Sequence, residues 1–190
     1  LEAPRRIISA ATPEEVPAAF AAMEKAQAKG YWLAGYASYE LGYLFSSKLR
    51  ELMPEERGLP LLRFGVFDGP TPHVPAPEAG PATLSALTPD WDFDRYAEAF
   101  AQVQDFITAG DIYQANLTFG MTAQYSGSPA ALYAGLCRRQ TVRHGAFVDL
   151  GGPVLLSRSP ELFFALTESS RLTARPMKGT ARRGGDRAED

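Results

Sequence analysis

The run R-P-M-K-G-T, residues 175–180, sets one lysine at a Gly-Thr turn after a strand-like stretch, and an amine there has two chemical fates. Lys178 is either a solvated charge at a hairpin end or a nucleophile. The second fate needs its pKa lowered from about 10.4 by burial or by cationic neighbours such as Arg175. Upstream, S-R-S-P-E at 157–161 supplies Glu161, a carboxyl able to give or take a proton. If Ser169 and Ser170 form a two-residue hairpin loop, Glu168 stands opposite Arg171 and, counting outward, Glu161 stands opposite Lys178. A slip of one or two residues still leaves both at the same end. Such a pair is by default a cross-strand ion pair worth about 0.2–1 kcal/mol; in a pocket it is a proton donor beside a nucleophile. Spacing alone leaves both readings open.

Other candidate constellations give less. Asp90, Asp92 and Asp94 have the spacing that opens a calcium loop, but Arg95 stands where glycine is needed and Ala101 where glutamate is needed, so they read as helix-capping carboxylates. His73, in a proline-rich stretch, and His144, read as part of a turn R-H-G, have neither metal-ligand nor triad spacing. There is no G-x-S-x-G, no phosphate-binding loop and no dinucleotide-binding glycine motif after a strand. The cluster Arg171, Arg175, Lys178, Arg182, Arg183 and Arg187 is the one local charge asymmetry, either a solvated hairpin and tail or an anion site.

Composition narrows the chemistry. A chain of 190 residues, 45% hydrophobic and 11% aromatic, has the profile of a folded protein. Its formal charge of −3 provides no overall field to attract nucleic acid or an anionic membrane, which favours small-molecule chemistry. A single cysteine, Cys137, excludes an internal disulfide and thiol-rich metal sites. No apolar run approaches the roughly 20 residues of a membrane span, and the N-terminal stretch has no signal-peptide core, so a cytoplasmic location is expected.

The elements that must position these groups follow from patterning. Thr12 and Glu15 have capping-box spacing, Pro13 suits a first turn, and Val16, Ala19, Phe20 and Met23 share one helical face before Gly30. Residues 31–45 read as a buried strand leading into a turn, and L-L-R-F-G-V-F as a strand closed by Asp68-Gly69. Prolines at 70, 72, 75, 77 and 81 mark a surface linker. The organisation expected is therefore an N-terminal α/β segment over 1–69, a linker over 70–81 and a catalytic portion over 82–190. In that last portion Phe93, Tyr96, Phe100, Val103 and Ile107 predict a helix ending at Gly110, and residues 111–125 alternate like a strand. Ser128-Pro129 starts a second helix. The remainder reads as a meander of four strands, G-A-F-V-D-L, P-V-L-L-S, E-L-F-F-A-L and R-L-T-A-R-P-M-K, joined by Gly151-Gly152, R-S-P and T-E-S-S.

G-D-I-Y-Q-A-N-L-T at 110–118, S-R-S-P-E-L-F-F at 157–164 and R-P-M-K-G-T at 175–180, in this order and at these distances, resemble the chorismate-binding enzyme family. Anthranilate, isochorismate and aminodeoxychorismate synthases belong to it. Residues 31–43 and the lysine at 178 resemble the aminodeoxychorismate synthase branch, where relatives read P-I-K-G-T and Met177 replaces isoleucine. Anthranilate and isochorismate synthases typically carry a small residue in place of the lysine. The resemblance implies an α+β fold of two mostly antiparallel sheet layers with helices outside, of which this chain is expected to hold only the first part. It implies that Lys178 attacks chorismate to form a covalent intermediate that ammonia resolves to 4-amino-4-deoxychorismate, on the route to para-aminobenzoate and folate. Glu161 would be the general acid and base, with Gly179 and Thr180 near a substrate carboxylate. Gln114 would stand where water-adding relatives have a lysine base. Mg²⁺ is expected in the complete enzyme with its ligands outside this chain, so the 190 residues alone are expected to be inactive. The partner implied is a glutamine amidotransferase subunit supplying ammonia. Anthranilate synthase component I is the alternative within the family, and a non-catalytic β-rich binding fragment the alternative outside it.

Overall fold

The computed structural model describes residues 1–72 and 80–176. It is a mixed α and β chain in which every paired strand is antiparallel. Two compact units are formed, one from residues 1–78 with 136–190 and the other from 79–135.

The first unit is built on a three-stranded sheet in which β3 (Leu62–Phe67) lies between β1 (Arg6–Ala10) and β2 (Trp32–Ala37). Ile8 faces Phe64, Ala10 faces Leu62, and Leu33 faces Val66. Alternation puts these residues on one side, and α1 (Val16–Ala28) covers it with Val16, Ala19 and Ala26, forming the buried core with Leu41 and Leu61. Phe20 and Met23 pack against this core, as the helical spacing predicts. A single 3₁₀ turn, Pro13–Glu15, precedes α1, and Pro17 falls in the helix's first turn, where a missing N–H costs nothing. Glu15 Oε2 accepts from the N–H groups of Ala11 at 2.6 Å and Thr12 at 3.3 Å. Gly30, at φ +80°, closes the helix: its N–H bonds Gln27 O at 2.8 Å while Tyr31 N–H bonds Ala26 O at 3.2 Å.

After β2 the chain takes a 3₁₀ path over Tyr39–Phe45 and a single turn, α2 (Ser47–Arg50), before β3. On the opposite face of the sheet Arg63 donates to Leu150 O from Nε at 3.0 Å and from a terminal nitrogen at 2.8 Å. Leu150 lies in the loop between β8 (His144–Val148) and β9 (Leu155–Ser159). The unit is completed by β10 (Leu162–Leu166) and β11 (Leu172–Arg175). The meander expected from sequence thus appears as two ladders, β8–β9 and β10–β11. Arg158 and Ser159, expected in a connection, extend β9 because Gly145 and His144 pair with them.

In the second unit β4 (Thr83–Leu84) pairs with β7 (Tyr125–Ser126), and β5 (Thr88–Pro89) with β6 (Met121–Thr122). Along the chain α3 (Phe93–Ala109) connects β5 to β6; Asp92 caps it by accepting from Arg95 N–H at 2.8 Å and Gly110 ends it at φ +82°. The helix forms where the pattern predicts, but its apolar stripe stays largely open. Phe93 is 79% and Phe100 47% exposed, with Trp91 and Phe119, stacked at 5.2 Å, beside Tyr96. The strand expected over 111–125 is confined to β6 and β7, because residues 111–120 have no ladder partner. Along the chain, α4 (Pro129–Arg139) leads from the second unit back to the first, with Ser128 Oγ capping Ala131 N–H at 3.0 Å. Part of the proline-rich segment, residues 73–79 with His73, lies outside the described residues.

Candidate active site

The hairpin β10–β11 is closed by three residues, Glu168-Ser169-Ser170, rather than two. Ser170 N–H bonds Thr167 O at 2.9 Å and Thr167 N–H bonds Arg171 O at 3.0 Å. Ser170 at φ +58° takes the left-handed position that completes such a loop, and Thr167 Oγ1 accepts from Arg171 N–H at 3.1 Å. This moves the pairing by one residue, to Leu166 opposite Leu172 and Ala165 opposite Thr173. A second shift falls between Ala165 and Leu162, where Phe163 and Phe164 stand against Ala174, so that Leu162 faces Arg175. Continued by one step, the register puts Glu161 beside Pro176, not Lys178. The expected residue-for-residue pairing is corrected by two positions, within the slip that keeps Glu161 at the open end of the ladder.

Two backbone contacts hold Glu161. Ser159 Oγ accepts from Glu161 N–H at 3.2 Å and donates to Glu161 O at 3.1 Å. One hydroxyl therefore fixes both polar groups of the peptide unit that carries the carboxyl. Ser159 sits at the end of β9 opposite His144, so the imidazole lies on the strand beside this clamp and not in a turn. The signal for Ser159 was in the S-P-E triplet: a serine two residues before an acid is the spacing of a side-chain turn. His144 could be found only through the β8–β9 register.

The side chain of Glu161 is exposed, and among the described residues no ion pair engages it. Arg175, opposite Leu162, brings a guanidinium to this end of the hairpin. Phe163, 86% exposed, meets Phe164 edge to face at 5.3 Å, giving the ribbon an open apolar surface next to the acid. Gln114 is exposed in the extended segment after α3, in the other unit. Lys178, Gly179 and Thr180 lie outside the described residues, as do Arg182, Arg183 and Arg187. Among the described residues there is no group of three or more His, Cys, Asp or Glu that could hold a metal ion. Nor is any described helix long and apolar enough to cross a membrane.

The chain is α+β, and in its sequence R-P-M-K-G-T follows the hairpin that carries Glu161. A family model described as chorismate binding enzyme matches residues 3–190, and the chain belongs to the chorismate-binding enzyme family. It is 30% identical over 194 residues to anthranilate synthase component 1 of Thermus thermophilus, covering 83% of this chain and 41% of that protein. It is also 30% identical to aminodeoxychorismate synthase component 1 of Escherichia coli, over 82% of this chain and 40% of that protein. The Klebsiella aerogenes aminodeoxychorismate synthase component 1 is 36% identical over 60% of this chain and 26% of its own length. The chain spans about two fifths of the length of the first two relatives. No solved structure matches it significantly.

Proposed function

We propose that the protein is the chorismate-aminating component of an aminodeoxychorismate synthase, joining chorismate and ammonia to give 4-amino-4-deoxychorismate and water. The observation that carries this reading is the sequence R-P-M-K-G-T continuing directly from β11, the strand paired beside Glu161. In the first step the neutral Lys178 amine forms a bond to ring C2, the two conjugated ring double bonds each shift by one bond toward C4, and the C4–O bond breaks as Glu161 protonates the departing hydroxyl. In the second step ammonia forms the C4–N bond, both ring double bonds return to their original places, the C2–N bond breaks and Lys178 is released as the neutral amine. Glu161, now a carboxylate, takes the proton that ammonia loses, which restores the starting state. Gly179 and Thr180 donate to a substrate carboxylate through N–H and hydroxyl. Gln114 has no basic nitrogen to activate water, which suits an ammonia-using site.

The proposal includes two sheet layers around the cleft of the complete protein, an amidotransferase subunit delivering ammonia, and a cytoplasmic place in para-aminobenzoate and folate synthesis. No step is routed through magnesium, for which the described residues offer no ligand set. A second reading, anthranilate formation, is favoured by the Thermus relative's coverage of 83% of this chain. Incubating the full-length protein with chorismate, ammonium and Mg²⁺ separates them. Aminodeoxychorismate without pyruvate is expected, and anthranilate with pyruvate would overturn the proposal in favour of the second reading. Quenched without ammonia, the peptide containing Lys178 should carry chorismate-derived mass; an unmodified peptide at saturating chorismate would refute the covalent route.

A further inference from the structure

One cavity in the first unit shares no residue with the hairpin of Glu161. It measures about 340 Å³ and opens where the start of β1, the last turn of α1 and the end of β3 meet. Arg5 and Arg6 line it from the strand and Lys25 and Lys29 from the helix, around a floor that includes Tyr31 and Val66. We propose that this cavity is a binding site for a small multivalent anion of the phosphate or polycarboxylate class.

Four cations line this cavity; Arg5 Nε donates to Asp68 at 2.5 Å and Arg6 donates to Ala22 O at 3.4 Å, while among the described residues no ion pair engages Lys25 or Lys29. The hydrogen bond to Asp68, with the charge of Asp68, raises the Arg5 pKa further and keeps the guanidinium charged. Lysines near a helix C-terminus commonly serve the last free carbonyls. On α1 the backbone already does so, through Gly30 N–H to Gln27 O and Tyr31 N–H to Ala26 O. Lys25 and Lys29, one turn apart, are like charges that repel each other. A counter-anion between them and the two arginines removes that repulsion.

The floor defines the rest of the ligand. Val66 and Ala26 are almost fully buried, and the Tyr31 ring carries the Arg5 guanidinium 5.2 Å from its centroid. The open part of the floor is therefore the Tyr31 ring, below the four charges at the rim. The sheet and α1 hold both surfaces rigidly, since the floor residues belong to the core.

Calorimetric titration of the protein with pyrophosphate and, separately, citrate tests this and distinguishes the two anion sources. At least one should saturate with a Kd of about 1 mM or tighter at low salt and weaken as ionic strength rises. Lys25→Glu/Lys29→Glu should raise that Kd about tenfold or more, whereas Arg138→Glu/Arg139→Glu on α4 should leave it unchanged. Should the glutamate pair unfold the protein, Lys25→Gln/Lys29→Gln gives the same comparison, with amide shifts of Tyr31 and Val66 reporting occupancy in the wild type. Absence of saturation below about 10 mM for both anions, or equal binding in both variant pairs, would overturn the site.

Discussion

Replacing Ser159 with alanine tests whether Glu161 works because its backbone is held. The hydroxyl makes two contacts to Glu161, at 3.2 Å from its N–H and 3.1 Å to its carbonyl, and both vanish with the Oγ atom. Neutral hydrogen bonds of this kind contribute about 0.5–1.5 kcal/mol each, and at an exposed residue water replaces part of that. A stability loss near 1 kcal/mol follows, or roughly 2–4 °C in Tm for a chain of this size. The effect on rate should be larger than the effect on folding. A peptide unit released at both ends lets the carboxyl drift, and a displacement of about 1 Å from a reacting group costs up to about 10²-fold. Steady-state assay of the full-length enzyme with chorismate and ammonium should therefore show kcat lowered roughly ten- to a hundredfold, with KM nearly unchanged. On the proposed function, in which Glu161 carries the proton, Glu161→Gln should lose about 10²–10⁴. Because Ser159 acts only through Glu161, the double variant should be no slower than Glu161→Gln alone. A Ser159→Ala enzyme of wild-type rate, or losses that multiply in the double variant, would refute the positioning argument.

Three further expectations concern the scaffold. Gly35→Ala would drive a methyl into the carbonyl oxygen of Arg63 and to 2.6 Å from Phe64 Cα, both backbone atoms of the central strand, so denaturant unfolding should show a loss above about 2 kcal/mol. Ser170→Gly should raise stability by up to about 1 kcal/mol, since φ +58° suits glycine; a lower Tm would contradict the loop geometry. The Glu14 carboxyl is held below its ordinary pKa by its backbone hydrogen bond and then by the Thr12 hydroxyl. A depressed acid contributes stability above its unfolded pKa and loses it as pH falls through the folded value, so Thr12→Val should flatten the acid limb of a pH–stability curve. An unchanged limb would count against that contact.

Local signals carried much of this protein. Asp92 before an apolar stripe and Gly110 after it set the limits of α3, because a side-chain cap and a left-handed glycine act within a few residues of the ends they close. The same holds for α1 between the Thr12-Glu15 spacing and Gly30, and for β3, whose run L-R-F-G-V-F is apolar but for Arg63 and is closed by Asp68-Gly69. The motifs that place the chain in its family are likewise contiguous words of sequence, readable without coordinates.

Pairing was a different matter. The strand β1 passed unread, since R-I-I-S-A gains its hydrogen bonds only from β3, more than fifty residues later along the chain. Residues 111–120 alternate as well as many strands do, yet alternation names a face without supplying a partner, and among the described residues no strand forms a ladder with them. His144 reads as a turn residue beside glycine until Ser159 arrives opposite it. In the T-E-S-S loop the choice between two and three residues lay with Ser170 entering a left-handed conformation that glycine or asparagine usually signals. The bulge at Phe163 and Phe164 then moved the register again. Sequence alone determined which residue types could do the chemistry and where the three long helices α1, α3 and α4 would form, because caps and periodicity act locally; the 3₁₀ stretch Tyr39–Phe45 and the single turn α2 went unread. The neighbours of Glu161 were decided by tertiary structure, because strand register is a property of two segments at once and each extra loop or bulge residue displaces every pair beyond it.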